Sequence, residues 1–176
     1  RIEFIQSTLG ISALFGLSLA ACNDKENLQD LVNNTRLKVS GNMFNFSAEK
    51  IKKVRIGIIG LGNRGNVLLQ MCQYLVEKEH AEIVALSDIE KKKTDKATLI
   101  LKKWQKNKVS VYNSSQEDWK NLARRDDIDL VVIATPWRLH TPMSLFCMEN
   151  NKHVACEVPI AYKLEDCWKL TQTSEK

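Results

Sequence analysis

Three clusters in this sequence combine residue types and spacings that can do chemistry. The first is Gly60-Leu61-Gly62-Asn63-Arg64-Gly65, a G-x-G-x-x-G run directly after the β-branched stretch Val54 to Ile59 and directly before an amphipathic pattern. On a strand-to-helix turn this spacing has a mechanical reading. Gly60 permits the tight turn, Gly62 lets the backbone approach a pyrophosphate, and Gly65 allows close packing of the helix. The free amides of the first helical turn then face the anion. The second is Asp88, 23 residues past Gly65 at the end of the next apolar run. A carboxylate there can accept hydrogen bonds from both hydroxyls of an adenosine ribose and repels a 2′-phosphate, which favours NAD over NADP. The competing reading is a cap on the following helix, and Lys91 to Lys93 offer cations that could tolerate the phosphate.

The third cluster, Thr135-Pro136-Trp137-Arg138-Leu139-His140, follows the most apolar run of the chain, Leu130 to Ala134. In an open α/β sheet ligands sit beyond the carboxyl ends of the strands, so Trp137, Arg138, Leu139 and His140 fall in the cleft by position. Trp137 packing on its own loop and His140 capping the next helix are the alternatives. Glu157-Val158-Pro159, after the fifth apolar run, forms another wall of the same cleft, although Glu157 could equally be a plain strand-end carboxylate.

These clusters need elements to hold them. Apolar runs at Val54–Ile59, Ile83–Ser87, Val109–Tyr112, Leu130–Ala134 and His153–Glu157 read as strands. Between them come helical patterns from Gly65 to about Lys78, Glu90 to about Asn107, Ser114 to Arg125 and Thr141 to about Asn150, and another begins at Leu164. In the first helix Val67, Leu68, Met71, Cys72 and Leu75 are expected on the buried face. Ser114 with Glu117 has the form of a capping box, and Thr141 followed by Pro142 that of a cap and first turn. Continuously apolar strands alternating with helices give a doubly wound α/β fold with a parallel sheet covered on both faces.

Composition bounds the partners. The net charge is +5, but eight lysines against two carboxylates between Glu90 and Lys108 supply it, and one lysine-rich helix without a nucleic-acid motif is a solvated face more than a nucleic-acid surface. Five cysteines without a C-x-x-C pair and three scattered histidines argue against a disulfide framework or a metal site, so none is expected. Cys72, Cys147 and Cys156 read as small core residues.

The amino-terminal stretch Phe4 to Ala21 is uncharged and apolar, short for a spanning helix, and ends in Leu19-Ala20-Ala21-Cys22. That ending resembles a bacterial lipobox in which Cys22 is acylated. Residues 1–22 are therefore expected to be an export signal of a periplasmic or membrane-anchored lipoprotein, a plain cleaved signal or a buried amphipathic helix being the alternatives. Residues 23–50, polar and rich in Asn, read as a linker or strap, and 51–176 as the NAD-binding domain.

The order GxGxxG, Ser-Asp, ATPxxxH, KHVACE and Pro159 resembles the cofactor domain of the Gfo/Idh/MocA oxidoreductases, a Rossmann fold, across roughly Lys52 to Lys176. Common members carry Glu-Lys-Pro after the fifth strand, with the lysine acting in hydride transfer, whereas Val158 stands here. Trp137 after Thr135-Pro136, the Glu157-Val158-Pro159 triplet and the continuation to Trp168 resemble the branch called glycoside hydrolase family 109. That resemblance implies an NAD-dependent α-N-acetylgalactosaminidase. Its cycle would oxidise C3 of the sugar, eliminate the aglycone, add water and return the hydride, outside the two-carboxylate scheme. It implies cofactor contacts from Gly60, Gly62, Asn63, Arg64, Gly65, Asp88, Trp137 to His140, Glu157 and Val158, and a carbohydrate substrate. The catalytic residues are expected in a second α+β substrate domain beyond this sequence, so residues 1–176 alone are not expected to hydrolyse a glycoside. A conventional sugar dehydrogenase and a non-catalytic NAD-binding protein remain the alternatives, and a homo-oligomer is compatible with all three.

Overall fold

The structure, a computed structural model, describes residues 50–175. The expected signal over 1–22, with Cys22, and all but the last residue of the expected linker over 23–50 lie outside the described residues. Within them, strands β1 (Val54–Ile59), β2 (Ala81–Ser87), β3 (Ser110–Tyr112), β4 (Leu130–Ile133) and β5 (His153–Cys156) form one sheet in the order β3-β2-β1-β4-β5. Every pairing is parallel. The helices are α1 (Asn63–Met71), α2 (Gln73–Glu77), α3 (Lys91–Leu101), α4 (Trp119–Ala123), α5 (His140–Glu149) and α6 (Leu164–Ser174), with a 3-10 turn at Trp137–Leu139 before α5.

Two cores cover the sheet, as the continuously apolar strands require. On one face Ile56, Ile58, Ile83, Leu86 and Val132 pack with Leu69 of α1 and with Ala97 and Leu101 of α3. On the other, Ile59, Ala85, Val131 and Ile133 meet Trp119 and Leu122 of α4 and Met143 and Cys147 of α5. Each fully buried Leu or Ile contributes about 1.5–3 kcal/mol. Burial also pushes the Cys147 thiol up to about 12, in keeping with its reading as a core residue.

The phase of β2 changes midway. The register jumps between Ile56–Ile83 and Gly57–Ala85, so one extra residue, Val84, inverts the alternation. Ala81 and Ile83 therefore share a face with Leu86, and the strand delivers Ser87 and Asp88 to the carboxyl edge in the phase that meets the glycine loop. Because β3 pairs only with Ala85 to Ser87, the buried amide of Gln105 completes the edge, accepting from Ile83 N–H at 2.9 Å and donating to its carbonyl at 2.8 Å.

Three local expectations are corrected. The first helix is shorter and splits at Cys72, and its inward face is Gly65, Leu69, Cys72 and Val76, with Leu68 alongside, while Val67, Met71 and Leu75 are exposed. The rotation is set by Gly65: an added Cβ there would stand 1.9 Å from the Gly60 carbonyl oxygen, so that position must face the strand. Ser114 and Glu117 form no capping box. Instead the Asp118 carboxylate accepts from Ser114 N–H at 2.9 Å and from the Asn121 amide at 3.0 Å, and the helix starts at Trp119. Thr141 lies inside α5 and caps nothing; its hydroxyl donates to the Ile160 carbonyl at 2.7 Å.

At the amino edge of the sheet Arg55 grips Asp129 by its backbone N–H and two guanidinium nitrogens, at 2.8, 3.0 and 2.6 Å, joining β1 to β4. The Arg55 bond holds the Asp129 carboxyl below its ordinary range, and the backbone bond from Ser114 does the same for Asp118. A carboxylate held low in the folded state contributes stability that is present above the unfolded pKa and lost as the pH falls through the folded one. The melting temperature should therefore drop in acid, below about pH 4. Asp129→Asn should cost most at neutral pH, with a penalty that shrinks in acid. A penalty independent of pH would contradict this reading.

Candidate functional site

The carboxyl edge of the sheet opens into a groove of about 860 Å³, lined by Gly60, Gly62, Asn63 and Arg64 from the first loop, Asp88 to Glu90 and Lys93 beyond β2, and Arg138 and Leu139 beyond β4. A smaller cavity of about 310 Å³ lies around Arg55 and Asp129, where those two groups already satisfy each other.

The three glycines of the loop do different work. Gly60 has φ +89, and a Cβ there would meet the Ala134 carbonyl oxygen at 2.6 Å, so fold geometry alone demands glycine. Gly65 is demanded by its contact with Gly60, as above. Gly62, by contrast, has φ −65 and ψ −163, and an added Cβ would meet nothing within 4 Å. Among the described residues nothing requires glycine at this position, yet Gly62 lines the groove at the N-terminus of α1. The open space it leaves beside free amides is what a pyrophosphate needs, so the residues present fit a dinucleotide.

The loop is held from both sides. Asn66 donates to the carbonyls of Leu61 at 2.6 Å and Gly62 at 3.0 Å. Across the groove, Asp88 accepts from Leu61 N–H at 2.7 Å through one oxygen and from Glu90 N–H at 2.9 Å through the other. Both of its readings thus have a geometric basis. The carboxylate caps the start of α3 and fixes the glycine loop, and each oxygen keeps a further lone pair for a ribose hydroxyl. Arg64 reaches away from the loop to Glu157, Nε to Oε1 at 2.5 Å, and ties the glycine turn to the end of β5.

The remaining predicted residues separate by position. Trp137, Glu157 and Val158 are not among the residues that line this groove; Trp137 and Val158 are 58% and 77% exposed, with Trp137 tilted against Tyr162 at 6.4 Å between ring centres. His140 is fully buried. Its Nε2 lies 2.8 Å from the Thr135 carbonyl and its Nδ1 2.9 Å from the Pro159 carbonyl. His140 therefore faces backbone on both sides, and its work is to hold the loop after β4 against the loop after β5. A neutral ring donates one of these bonds and an imidazolium both. Replacing His140 with Leu takes a donor from at least one of these two part-buried carbonyls, and the expected cost is about 1–3 kcal/mol, read as a lower denaturation midpoint. A loss below about 1 kcal/mol would mean that water serves those carbonyls as well.

Sequence reasoning missed the floor of the groove, formed by Ser115, Gln116, Trp119 and Lys120 after β3 and by Pro142, Met143 and Phe146 on α5. Trp119 and Phe146 meet edge to face at 5.2 Å, and the Lys120 ammonium lies over both rings. The signal available was the same carboxyl-edge rule applied to the third strand.

Comparison with known proteins agrees with this geometry. Residues 54–176 match the Gfo/Idh/MocA family, described as an oxidoreductase family with an NAD-binding Rossmann fold. An α-N-acetylgalactosaminidase of Bacteroides fragilis is 47% identical over 123 residues, covering 70% of this chain and 28% of that protein. Glycosyl hydrolase family 109 protein 1 of the same species is 36% identical over 172 residues, 94% of this chain and 36% of that protein. The chain thus spans about a third or less of these relatives. Among solved structures, myo-inositol 2-dehydrogenase from Lactobacillus plantarum superposes with a TM-score of 0.57 at 22% identity, over 70% of this chain and 33% of that one. Scyllo-inositol dehydrogenase from Lactobacillus casei, solved with NAD(H) and scyllo-inositol, gives 0.55 at 24%, over 69% and 33%. These two likenesses are of fold.

Proposed function

The chain belongs to the Gfo/Idh/MocA oxidoreductase family and carries its NAD-binding domain, and from that premise we propose that the protein is an exported, NAD-dependent glycosidase acting on α-N-acetylgalactosaminides. The observation that carries the proposal is Val158. It stands exposed at the end of β5, directly after Glu157, where dehydrogenases of the family carry a lysine. Valine has no ammonium to polarise a hydroxyl or stabilise an alkoxide. The similarity to family 109 proteins, whose resemblance was already carried by Thr135-Pro136-Trp137 and Glu157-Val158-Pro159, supports the same reading.

When bound, NAD supplies a hydride acceptor and donor for transient oxidation at C3 of the sugar. The chain's own contribution is to bind and orient. The amides around Gly62 take the pyrophosphate, Asp88 takes the ribose hydroxyls, and the rings of Trp119 and Phe146 give the groove an apolar floor. Arg64 with Glu157, and His140 with the Thr135 and Pro159 carbonyls, hold the three loops at fixed separations. Export is supported by Phe4 to Cys22. An exported enzyme meets little free NAD, which suits a cofactor that is carried along and restored in each turnover. A periplasmic or lipid-anchored location through Cys22 belongs to this proposal.

The test follows aryl release from an aryl α-N-acetylgalactosaminide without added nicotinamide while watching for NADH. Release with no accumulating NADH is expected. Steady NADH formation from free sugars and added NAD, without aryl release, would move the assignment to a conventional dehydrogenase.

A further inference from the structure

The three lysines after Asp88 end up in three different settings. Lys91 turns along the helix to Asp95, with Nζ at 3.0 and 2.7 Å from the two carboxylate oxygens. Lys92 is exposed and does not line the groove. Lys93 does line it, together with Asp88 and Glu90, at the corner where Asp88 meets the first loop. Its ammonium is bound to Glu90 Oε1 at 2.5 Å.

That corner is where a ribose 2′ substituent is read in this fold. A phosphate there carries nearly two negative charges and would seek Lys93, the lysine that shares this corner of the groove wall with Asp88. We propose that Glu90 is a cofactor-specificity residue that engages Lys93 and so keeps its ammonium from serving a 2′-phosphate. The inference rests on the reading of the groove as an NAD site. It adds to it a second carboxylate, two residues beyond Asp88, whose role is exerted through Lys93.

The surroundings support an engaged lysine. The bond to Glu90 and the nearby charge of Asp88 hold the Lys93 ammonium above its ordinary range. Asp88 directs its two oxygens to the N–H groups of Leu61 and Glu90, while the Lys93 ammonium is bonded to Glu90. Glu90 is the N-cap of α3 with backbone φ −98 and ψ 108 and no side-chain cap bond, so its carboxylate is left for Lys93. Removing that carboxylate would release Lys93 toward the groove and remove one negative charge from the same corner.

The experiment measures dissociation constants of NAD and NADP by titration calorimetry for the unaltered full chain, Glu90→Gln, Lys93→Met and the double variant. Glu90→Gln is expected to tighten NADP about tenfold, the scale of one charge-assisted contact to phosphate, and to leave NAD within about threefold. Adding Lys93→Met should abolish the gain, while Lys93→Met alone leaves both affinities near those of the unaltered chain. No gain in Glu90→Gln overturns the proposal. So does a gain that survives Lys93→Met, which would mean that Glu90 acts by repulsion alone. If the unaltered chain binds neither nucleotide, the cofactor reading itself fails. All four side-chain states are on the exposed start of α3, so unchanged melting temperatures serve as the folding control.

Discussion

Gly62→Ala is expected to leave the protein folded and to weaken NAD binding about ten- to a hundredfold. The added methyl meets no atom of the described residues within 4 Å, and φ −65 with ψ −163 is open to any residue. The stability cost should therefore stay within about 1 kcal/mol, the scale of a changed N-cap. The methyl does enter the space beside the N-terminal amides of α1, where it pushes a pyrophosphate out of reach of charge-assisted bonds contributing about 1.5–3 kcal/mol each. Gly65→Ala should do the reverse. Its methyl would sit 1.9 Å from the Gly60 oxygen and 2.8 Å from the Gly60 carbonyl carbon, so the turn or the helix must shift and the melting temperature should fall. Melting curves and NAD titrations on the two variants separate these outcomes. Normal NAD affinity in a folded Gly62→Ala protein would show that no anion approaches that loop.

Asp88→Asn is expected to cost NAD about tenfold or more and NADP clearly less, from the loss of ionic hydrogen bonds to ribose. The carboxylate presents two acceptor oxygens, and an amide presents one oxygen and an NH₂. In the amide, either Leu61 N–H or Glu90 N–H must face a donor, so the glycine loop loosens for both nucleotides. For NADP that loss is offset by removing an anion next to the 2′-phosphate. Dissociation constants for both nucleotides on the same preparation decide the matter. Equal losses would mean that Asp88 acts only through the backbone it holds.

The same residues explain how far the sequence could be read. Gly60, Gly62, Gly65 and Asp88 were legible because strand, turn and helix fix their positions through local spacing, and the groove contains or rests on all four. The strands and their parallel arrangement were legible from uninterrupted apolar runs. Helix faces were not. Val67, Met71 and Leu75 look like a buried stripe by period, yet the inward face is chosen by the Gly65 contact with Gly60, a tertiary constraint that hydrophobicity does not encode. Caps failed for a related reason. The Ser114 N–H is bound to the Asp118 carboxylate, which itself makes no side-chain cap bond to α4, and Thr141 is drawn to the Ile160 carbonyl, 19 residues away in sequence. His140 follows β4 as the first residue of α5, and only its burial and its two carbonyl neighbours distinguish a residue that holds loops together from one that meets a ligand.

In the proposed function, glycoside cleavage proceeds through transient oxidation of the sugar. A ketone at C3 acidifies the C2 proton, so that proton should exchange with solvent during cleavage, whereas displacement at the anomeric carbon by a carboxylate pair leaves C2 untouched. The direct measurement is the NMR spectrum of the N-acetylgalactosamine released from an α-N-acetylgalactosaminide in D₂O. Deuterium at C2 of the released sugar is the predicted result. Release of sugar that keeps its original C2 proton would contradict the account.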